Sequence, residues 1–417
     1  MHRCSRRTDA LRAIAATVLI IGLLSGCGET PGIPRAHIPD LNALDVGEFG
    51  TDPLAEPRND KDSYGHILES ARMADALVHP TDIDRAFTFG SPSLLPRPGD
   101  TTGILAETAL PVLKKHRMLA GYSIRGTDRE GEAGRTVGQA RALRLSVLRL
   151  PDEAAARNAA QEIESADFAV SPDNVAVAIP EYAGAHSHWR PLVPTLGTVV
   201  AHGPFVVAIF AGLPTIDLPA LTALTTAALK AELPRLDRFV STPADKLSTL
   251  PLDREGMLRR ILPAQHGKWP YPTVTRVDIG TVAGYGGAHF ESGVVLGPGG
   301  ADHWTRGDAA DTSKPDPAEI ESLAAVEHRR LLRMPNAVKA RKYFEGKAEA
   351  IARDFESIAP PDQVPDTACV RQKSPGSSDI YLCIVRYGRY VATVLDPQEK
   401  TVKQMTAAQY ALLVNND

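Results

Sequence analysis

One short pattern recurs in this chain at a nearly constant spacing, which constrains the fold to two copies of one unit. Leu148-Arg149-Leu150-Pro151-Asp152, with Ala156-Arg157 following, returns 184 residues later as Leu332-Arg333-Met334-Pro335-Asn336, with Ala340-Arg341 following. His202-Gly203-Pro204-Phe205-Val206 returns as Tyr387-Gly388-Arg389-Tyr390-Val391 at an offset of 185. The chemistry carries over with the letters. Asp152 and Asn336 are both good helix N-caps, and the stripe Ala156, Ala159, Ala160, Ile163 is continued in the second copy by Ala340, Tyr343 and Phe344. The plainer alternative is two unrelated α+β domains.

Within the first copy, residues 140–150 read as a strand and Asp152 opens an Ala-rich helix to about residue 165. Residues 195–201 and 205–211 flank His202-Gly203-Pro204 as a hairpin, and a helix follows over 218–233. In the second copy a helix near 405–414 follows the later hairpin. The predicted fold class is α+β: two related domains, each an antiparallel sheet with helices packed on one face, built from β-α-β-β-α units. The Ser-, Thr- and Pro-containing stretch 239–251 places the boundary, giving domains 44–245 and 246–417. Helical character is also read at 69–78 and 103–119, with Pro111 starting or kinking the latter. Two readings compete over 318–333: one continuous helix, or a helix ending near 325 and then a strand over 327–334.

The first residues carry a different message. Arg3, Arg6, Arg7 and Arg12 stand against Asp9 alone, and residues 13–24 are an apolar run too short to span a bilayer. The run ends in Leu24-Ser25-Gly26-Cys27, which resembles the lipobox of bacterial lipoproteins. The resemblance implies that 1–26 is a signal peptide, that Cys27 is lipidated, and that 27–43, with Pro31, Gly32, Pro34 and Pro39, is a tether. Two acyl chains of ordinary length would hold the protein to the outer face of the plasma membrane by on the order of 25 kcal/mol. A plain secretory peptide is the alternative.

Charge narrows the partners. The net charge is −4 for the whole chain and −7 without residues 1–26, and no Lys/Arg-rich block offsets it, so nucleic acid is not an expected partner. Of four cysteines, Cys4 leaves with the signal peptide and Cys27 takes the lipid. Cys369 and Cys383 are then expected to pair across a hairpin, since an exported chain meets oxidising conditions. A redox-active pair is the other reading, without a Cys-x-x-Cys to support it.

The lipobox, the Leu44-Asp45-Val46-Gly47 opening, the His79-Pro80-Thr81-Asp82-Ile83-Asp84 segment and the two strand–Pro–helix units together resemble an uncharacterised family of actinobacterial, chiefly mycobacterial and nocardial, two-domain envelope lipoproteins. That resemblance implies an envelope location and a two-domain plan. It brings no activity.

No Gly-x-Ser-x-Gly elbow, Ser-x-x-Lys, His-Glu-x-x-His, Walker loop or Gly-x-Gly-x-x-Gly occurs, and no cofactor is expected. Three local features carry chemistry. His186 and His188 would share one face of a strand and could grip a metal ion, although no third ligand is assigned and a surface loop reads as well. Tyr285, His289 and Glu291 sit in a Gly-rich stretch that could line a ligand cleft or simply lead into an edge strand. Gly297-Pro298-Gly299-Gly300 reads as a turn, with Trp304 beyond it able to cap an apolar pocket. The expected function is non-enzymatic binding of a small molecule, a lipid or an envelope protein, in a cleft between the domains. The alternatives are an envelope hydrolase or transferase with a dispersed site, and a structural or assembly lipoprotein.

Overall fold

The computed structural model describes residues 38–277, 288–306, 319–373 and 378–416. Cys27 and Tyr285 lie outside the described residues.

The chain builds one seven-stranded antiparallel sheet twice. In the first half the strands are β1 (Phe89–Leu94), β2 (Ala120–Thr127), β3 (Ala142–Arg149), β4 (Val175–Ala176), β5 (His186–Trp189), β6 (Thr195–His202) and β7 (Phe205–Gly212). They are ordered β1-β2-β3-β7-β6-β5-β4. A two-stranded ribbon follows, β8 (Thr273–Val277) with β9 (Ala288–Ser292). The second sheet comprises β10 (Val294–Leu296), β11 (Ser322–Val326), β12 (Arg329–Arg333), β13 (Glu356–Ile358), β14 (Thr367–Gln372), β15 (Ile380–Tyr387) and β16 (Tyr390–Asp396). Its order, β10-β11-β12-β16-β15-β14-β13, repeats the first strand for strand.

The register repeats as well. Arg149 on β3 faces Phe205 on β7, and Arg333 on β12 faces Tyr390 on β16. These pairs reproduce the offsets of 184 and 185 read from the sequence.

Helices enter at matching places. α1 (Asp62–Met73) and the single turn α2 (Pro80–Ile83) precede β1, and α3 (Ala109–Lys115) joins β1 to β2. α4 (Glu153–Phe168) follows β3 and α5 (Leu218–Leu236) follows β7. In the second copy α6 (Pro298–Arg306), α7 (Ala337–Asp354) and α8 (Glu399–Val414) take the places of α3, α4 and α5. The N-caps behave as their residue types require: Asp152 accepts from the Ala155 N–H at 2.8 Å and Asn336 from the Lys339 N–H at 3.0 Å.

The antiparallel α+β plan holds in both domains, but the helices take two faces of each sheet rather than the one expected. β3 shows why. All eight of its residues are buried, so neither face is left for water. Leu148, Val206 and Ala208 pack on α3 and α4, whereas Leu145, Val207 and Ile209 join the core that contains Leu221 and Ala228 of α5. In the second sheet Val370 and Ile384 meet Ile351 of α7, while Cys369, Cys383 and Val394 meet Val402 and Met405 of α8.

Other expectations are corrected. The 103–119 helix is confined to Ala109–Lys115, because Pro98–Thr101 forms a 3₁₀ turn before it. Neither reading of 318–333 holds fully: Ser322–Val326 is a strand turning at Glu327, whose φ is +50°, into β12. The Gly297-to-Trp304 segment is helical from Pro298, not a turn. The disulfide forms as expected, joining Cys369 and Cys383, which face each other on β14 and β15.

Residues 42–417 cluster as one body, and a single apolar core runs through both sheets. Val294, Leu296 and Ala301 of the second half share it with Tyr122, Leu143 and Leu224 of the first. The expected inter-domain cleft is therefore occupied there by packed side chains.

Candidate functional site

A cavity of about 310 Å³ opens on the α4 face of the first sheet, at the small end of the range for ligand sites. Its floor is the sheet, with Arg144 and Ser146 of β3, Gly197 of β6 and Phe210 of β7. One wall is α4, presenting Ile163, Glu164 and Asp167; the rim carries Asn174, His188, Arg190 and Val193. Ile104, Leu105 and Ala109 close the apolar end.

The floor is cationic. Arg144 is only 2% exposed, and burial, with Arg125 adding like charge, pushes its pKa down to about 9. Arg125 and Arg144 are direct cross-strand partners on β2 and β3. Like charges so placed oppose strand pairing.

His188 forms the opposite pole. Its Nδ1 lies 2.9 Å from Glu164 Oε1, and its Nε2 lies 3.9 Å from Asp167 Oδ2. The hydrogen bond to Glu164 holds the imidazole above its ordinary pKa, while burial raises that of Asp167. Arg190 Nε is held by Asn174 Oδ1 at 3.4 Å. Two guanidinium groups and the His188 ring thus line the cavity with two carboxylates, both of which approach that ring.

The duplicated half supplies an internal comparison. Strand register and the shared N-caps carry His188 to Val370, Gly197 to Leu382, Glu164 to Ala348 and Asp167 to Ile351. Those four residues belong to one apolar cluster, completed by Phe344 and Ile384, where the first copy has a polar cavity. The position matching Arg144 is His328, in the turn between β11 and β12. At Gly197 a Cβ would sit 3.8 Å from His188 Cε1, an ordinary contact, so the space beside it is open to a side chain. One copy of the unit fills this position and the other keeps it hollow and charged.

The residues expected from sequence fall in two places. His186 is exposed on β5, and His188 pairs with Glu164; among the described residues no group of three His, Cys, Asp or Glu side chains is arranged to hold a metal ion. His289 and Glu291 lie on the buried side of β9, and Trp304 lies on α6. Arg330 connects two of them, its guanidinium 5.0 Å above the Trp304 ring and its charge acting on Glu291. Burial pushes His289 down to about 4 and Glu291 up to about 7. None of the three lines the Arg144 cavity. Arg144, Glu164 and Asp167 were not legible as site residues, because each lies within an ordinary strand or helix pattern. Only the His186-Ser187-His188 alternation pointed to this strand.

Among the described residues no helix is long and apolar enough to cross a membrane. No curated protein matches the chain. A solved structure similar to part of it is the extracellular domain of PknH from Mycobacterium tuberculosis, with 13% identity and a TM-score of 0.27, spanning 44% of this chain and 98% of that one. Two family models match in succession: the domain of unknown function DUF7373, N-terminal, over residues 56–252, and DUF7373, C-terminal, over residues 257–416. Together they take in both sheets, and the chain belongs to the two-domain DUF7373 family.

Proposed function

We propose that this protein is an exported lipoprotein, tethered through Cys27 to the outer face of the plasma membrane, that binds a small organic anion without chemical turnover in the cavity of its N-terminal domain. The observation that carries the ligand reading is the contrast between the two copies. Where Val370, Leu382, Ala348 and Ile351 make a solid core, the first copy holds a cavity floored by buried Arg144. On the rim of that cavity Arg190, His188 and Asn174 carry hydrogen-bond donors of the kind that hold a carboxylate or phosphate ester. The export and anchoring reading is supported by the basic start, the apolar run and the Leu24-Ser25-Gly26-Cys27 signature, and is compatible with the Cys369–Cys383 disulfide.

Native mass spectrometry of residues 27–417 carrying Cys27→Ala, purified from a high-GC actinobacterial host, tests the ligand reading. A retained organic acid is expected. Separately, Cys27→Ala in the full chain is expected to release the protein from membranes, and sedimentation with membranes at high salt would overturn the anchor.

A second reading, an envelope hydrolase, is favoured by one observation: Ser146, His188 and Glu164 line the same cavity. Against it, the Ser146 hydroxyl is hydrogen-bonded to Ser123 at 2.8 Å, and both His188 nitrogens face carboxylates, which favours the charged ring over a free base. Covalent labelling of Ser146 by a fluorophosphonate probe would support hydrolysis over binding.

A further inference from the structure

The cavity presents charge of both signs, and its carboxylates are as open to a ligand as its rim cation. Among the described residues the Asp167 carboxylate accepts no hydrogen bond, and its one ion-pair contact is His188 Nε2, 3.9 Å away. Glu164 offers Oε1 to His188 Nδ1 at 2.9 Å and keeps Oε2 free. Arg190 donates through Nε to Asn174 Oδ1 at 3.4 Å, and neither of its terminal nitrogens is bonded to a described residue. All four side chains line the one cavity, and the Arg190 charge acts on both Asp167 and His188.

A simple anion suits only part of this arrangement. Docked on Arg190 it would stand beside Asp167, and like charges in a half-buried site repel more strongly than in water. Burial already raises the pKa of Asp167, the mark of a negative charge that its surroundings do not fully meet. A ligand that brings its own ammonium group removes the conflict, because a primary ammonium has three N–H donors for the Asp167 carboxylate and the free Glu164 oxygen. The wall then grades from charge into hydrocarbon. Ile163 and Asp167 are four residues apart on α4, so they share one face about 6 Å apart along the helix axis. Ile163 belongs to the same apolar cluster as Ile104 and Ala109, against which Leu105 packs.

Resting on the anion-binding reading, we propose that the anionic group is the carboxylate of an α-amino acid with an apolar side chain. The carboxylate meets Arg190, the ammonium meets Asp167 and Glu164, and the side chain points along α4 toward Ile163, Ile104 and Leu105. Each part of this ligand answers a feature of the cavity that the other parts leave unmatched. A cavity of about 310 Å³ holds one such compact molecule, and the short distance from Asp167 to Ile163 suits a branched side chain of a few carbons. His188 holds Glu164 in place without using both of its oxygens.

Isothermal titration calorimetry of residues 27–417 with Cys27→Ala tests the proposal. The probes are leucine, isocaproate, which lacks the ammonium, isoamylamine, which lacks the carboxylate, and glycine, which lacks the side chain. Leucine is expected to bind at least tenfold more tightly than each of the others. Asp167→Asn is expected to weaken leucine at least tenfold and to bind isocaproate more tightly than the parent does. Isocaproate binding as tightly as leucine, or a parallel loss of both acids in Asp167→Asn, would overturn the amino acid and leave the anion site standing. Glycine binding as tightly as leucine would overturn the apolar side chain in the same way. Isoamylamine binding as tightly as leucine would overturn the anion reading itself. Binding of none of the probes would overturn the amino acid, and glycerol phosphate then separates the two readings: its binding keeps the anion site, and its failure overturns both.

Discussion

Asp75 caps a helix that belongs to the other half of the molecule: its Oδ1 accepts the Gly299 N–H at 3.0 Å, and the Gly300 N–H follows at 3.2 Å. The two glycines permit this approach. A Cβ on Gly299 would lie 2.8 Å from the Asp75 Cα, and one on Gly300 would lie 2.8 Å from the Ala74 Cβ. Arg254 adds an ion pair to Asp75 Oδ2 at 3.1 Å. With an apolar core running through both sheets, the two domains are expected to unfold together. Asp75→Ala should cost about 1–2 kcal/mol as a lost cap, and Gly300→Ala about 1–3 kcal/mol by overpacking. Urea denaturation followed by two probes checks this. Two separate transitions in the unsubstituted protein would contradict the shared core.

The repeated arginines are structural anchors. Arg149 donates to the fully buried Glu69 at 2.6 Å, and the Thr242 N–H and hydroxyl donate to the same carboxylate at 2.9 and 2.7 Å. In the second copy Arg333 donates to Glu321 at 3.0 Å and pairs also with Glu255. Glu69→Ala leaves the buried Arg149 short of its partner, and a loss of about 3–5 kcal/mol is expected. Chemical denaturation measures it, and a loss below 1 kcal/mol would show that the network does not hold the fold.

Stability should depend on pH through Glu291. Its folded-state pKa, near 7, is raised above the ordinary 4.5. The neutral form is favoured in the fold, so this contribution is complete below about pH 4.5 and is lost as pH rises through 7. Glu232 on α5, raised likewise to about 7, adds in the same direction. At pH 8, Glu291→Gln should be more stable than the parent by up to about 3 kcal/mol, with the difference vanishing at pH 4. Melting temperatures across that range decide it. A variant equally destabilised at both pH values would place the cost in packing instead.

The disulfide closes a loop of 14 residues' separation between adjacent strands. In the chain-entropy relation such a loop contributes about 3 kcal/mol. Cys369→Ala with Cys383→Ala should lower stability by about that amount and leave anion binding intact, since the cavity lies in the other sheet. Loss of binding in a folded double variant would show that the domains are coupled through more than their core.

His188 gives the cavity its own pH dependence. Its pKa is raised by the hydrogen bond to Glu164. The imidazolium therefore persists to higher pH than that of a free histidine, and anion affinity should fall as it is lost on the alkaline side. His188→Gln should flatten that profile, which titrations at several pH values would show.

Much of the repeat was legible because its signals are local. Asp152 and Asn336 cap their helices, Gly203 and Gly388 take φ near +54° at the hairpin turns, and the apolar runs between them are strands. The edge strand β1 was not legible, since Gly90 and Pro92 weaken its pattern, although proline is tolerated at a sheet edge. α6 was hidden for another reason: its Gly-Pro-Gly-Gly start is completed by Asp75, more than 220 residues away in sequence. The site was hidden in the same way. Arg144, Glu164 and His188 are each unremarkable in their own segments, and only the fold brings them around one cavity that the second copy fills with Val370 and Leu382.

The most direct test of the anion site is a calorimetric titration of residues 27–417, carrying Cys27→Ala, with a panel of small carboxylates and phosphate esters. Gly197→Leu, which installs the residue of the second copy, is titrated beside it. Saturable one-site binding of at least one anion is predicted for the parent, together with its loss in Gly197→Leu at an unchanged melting temperature. No binding across the panel, or binding that Gly197→Leu leaves intact, would contradict it.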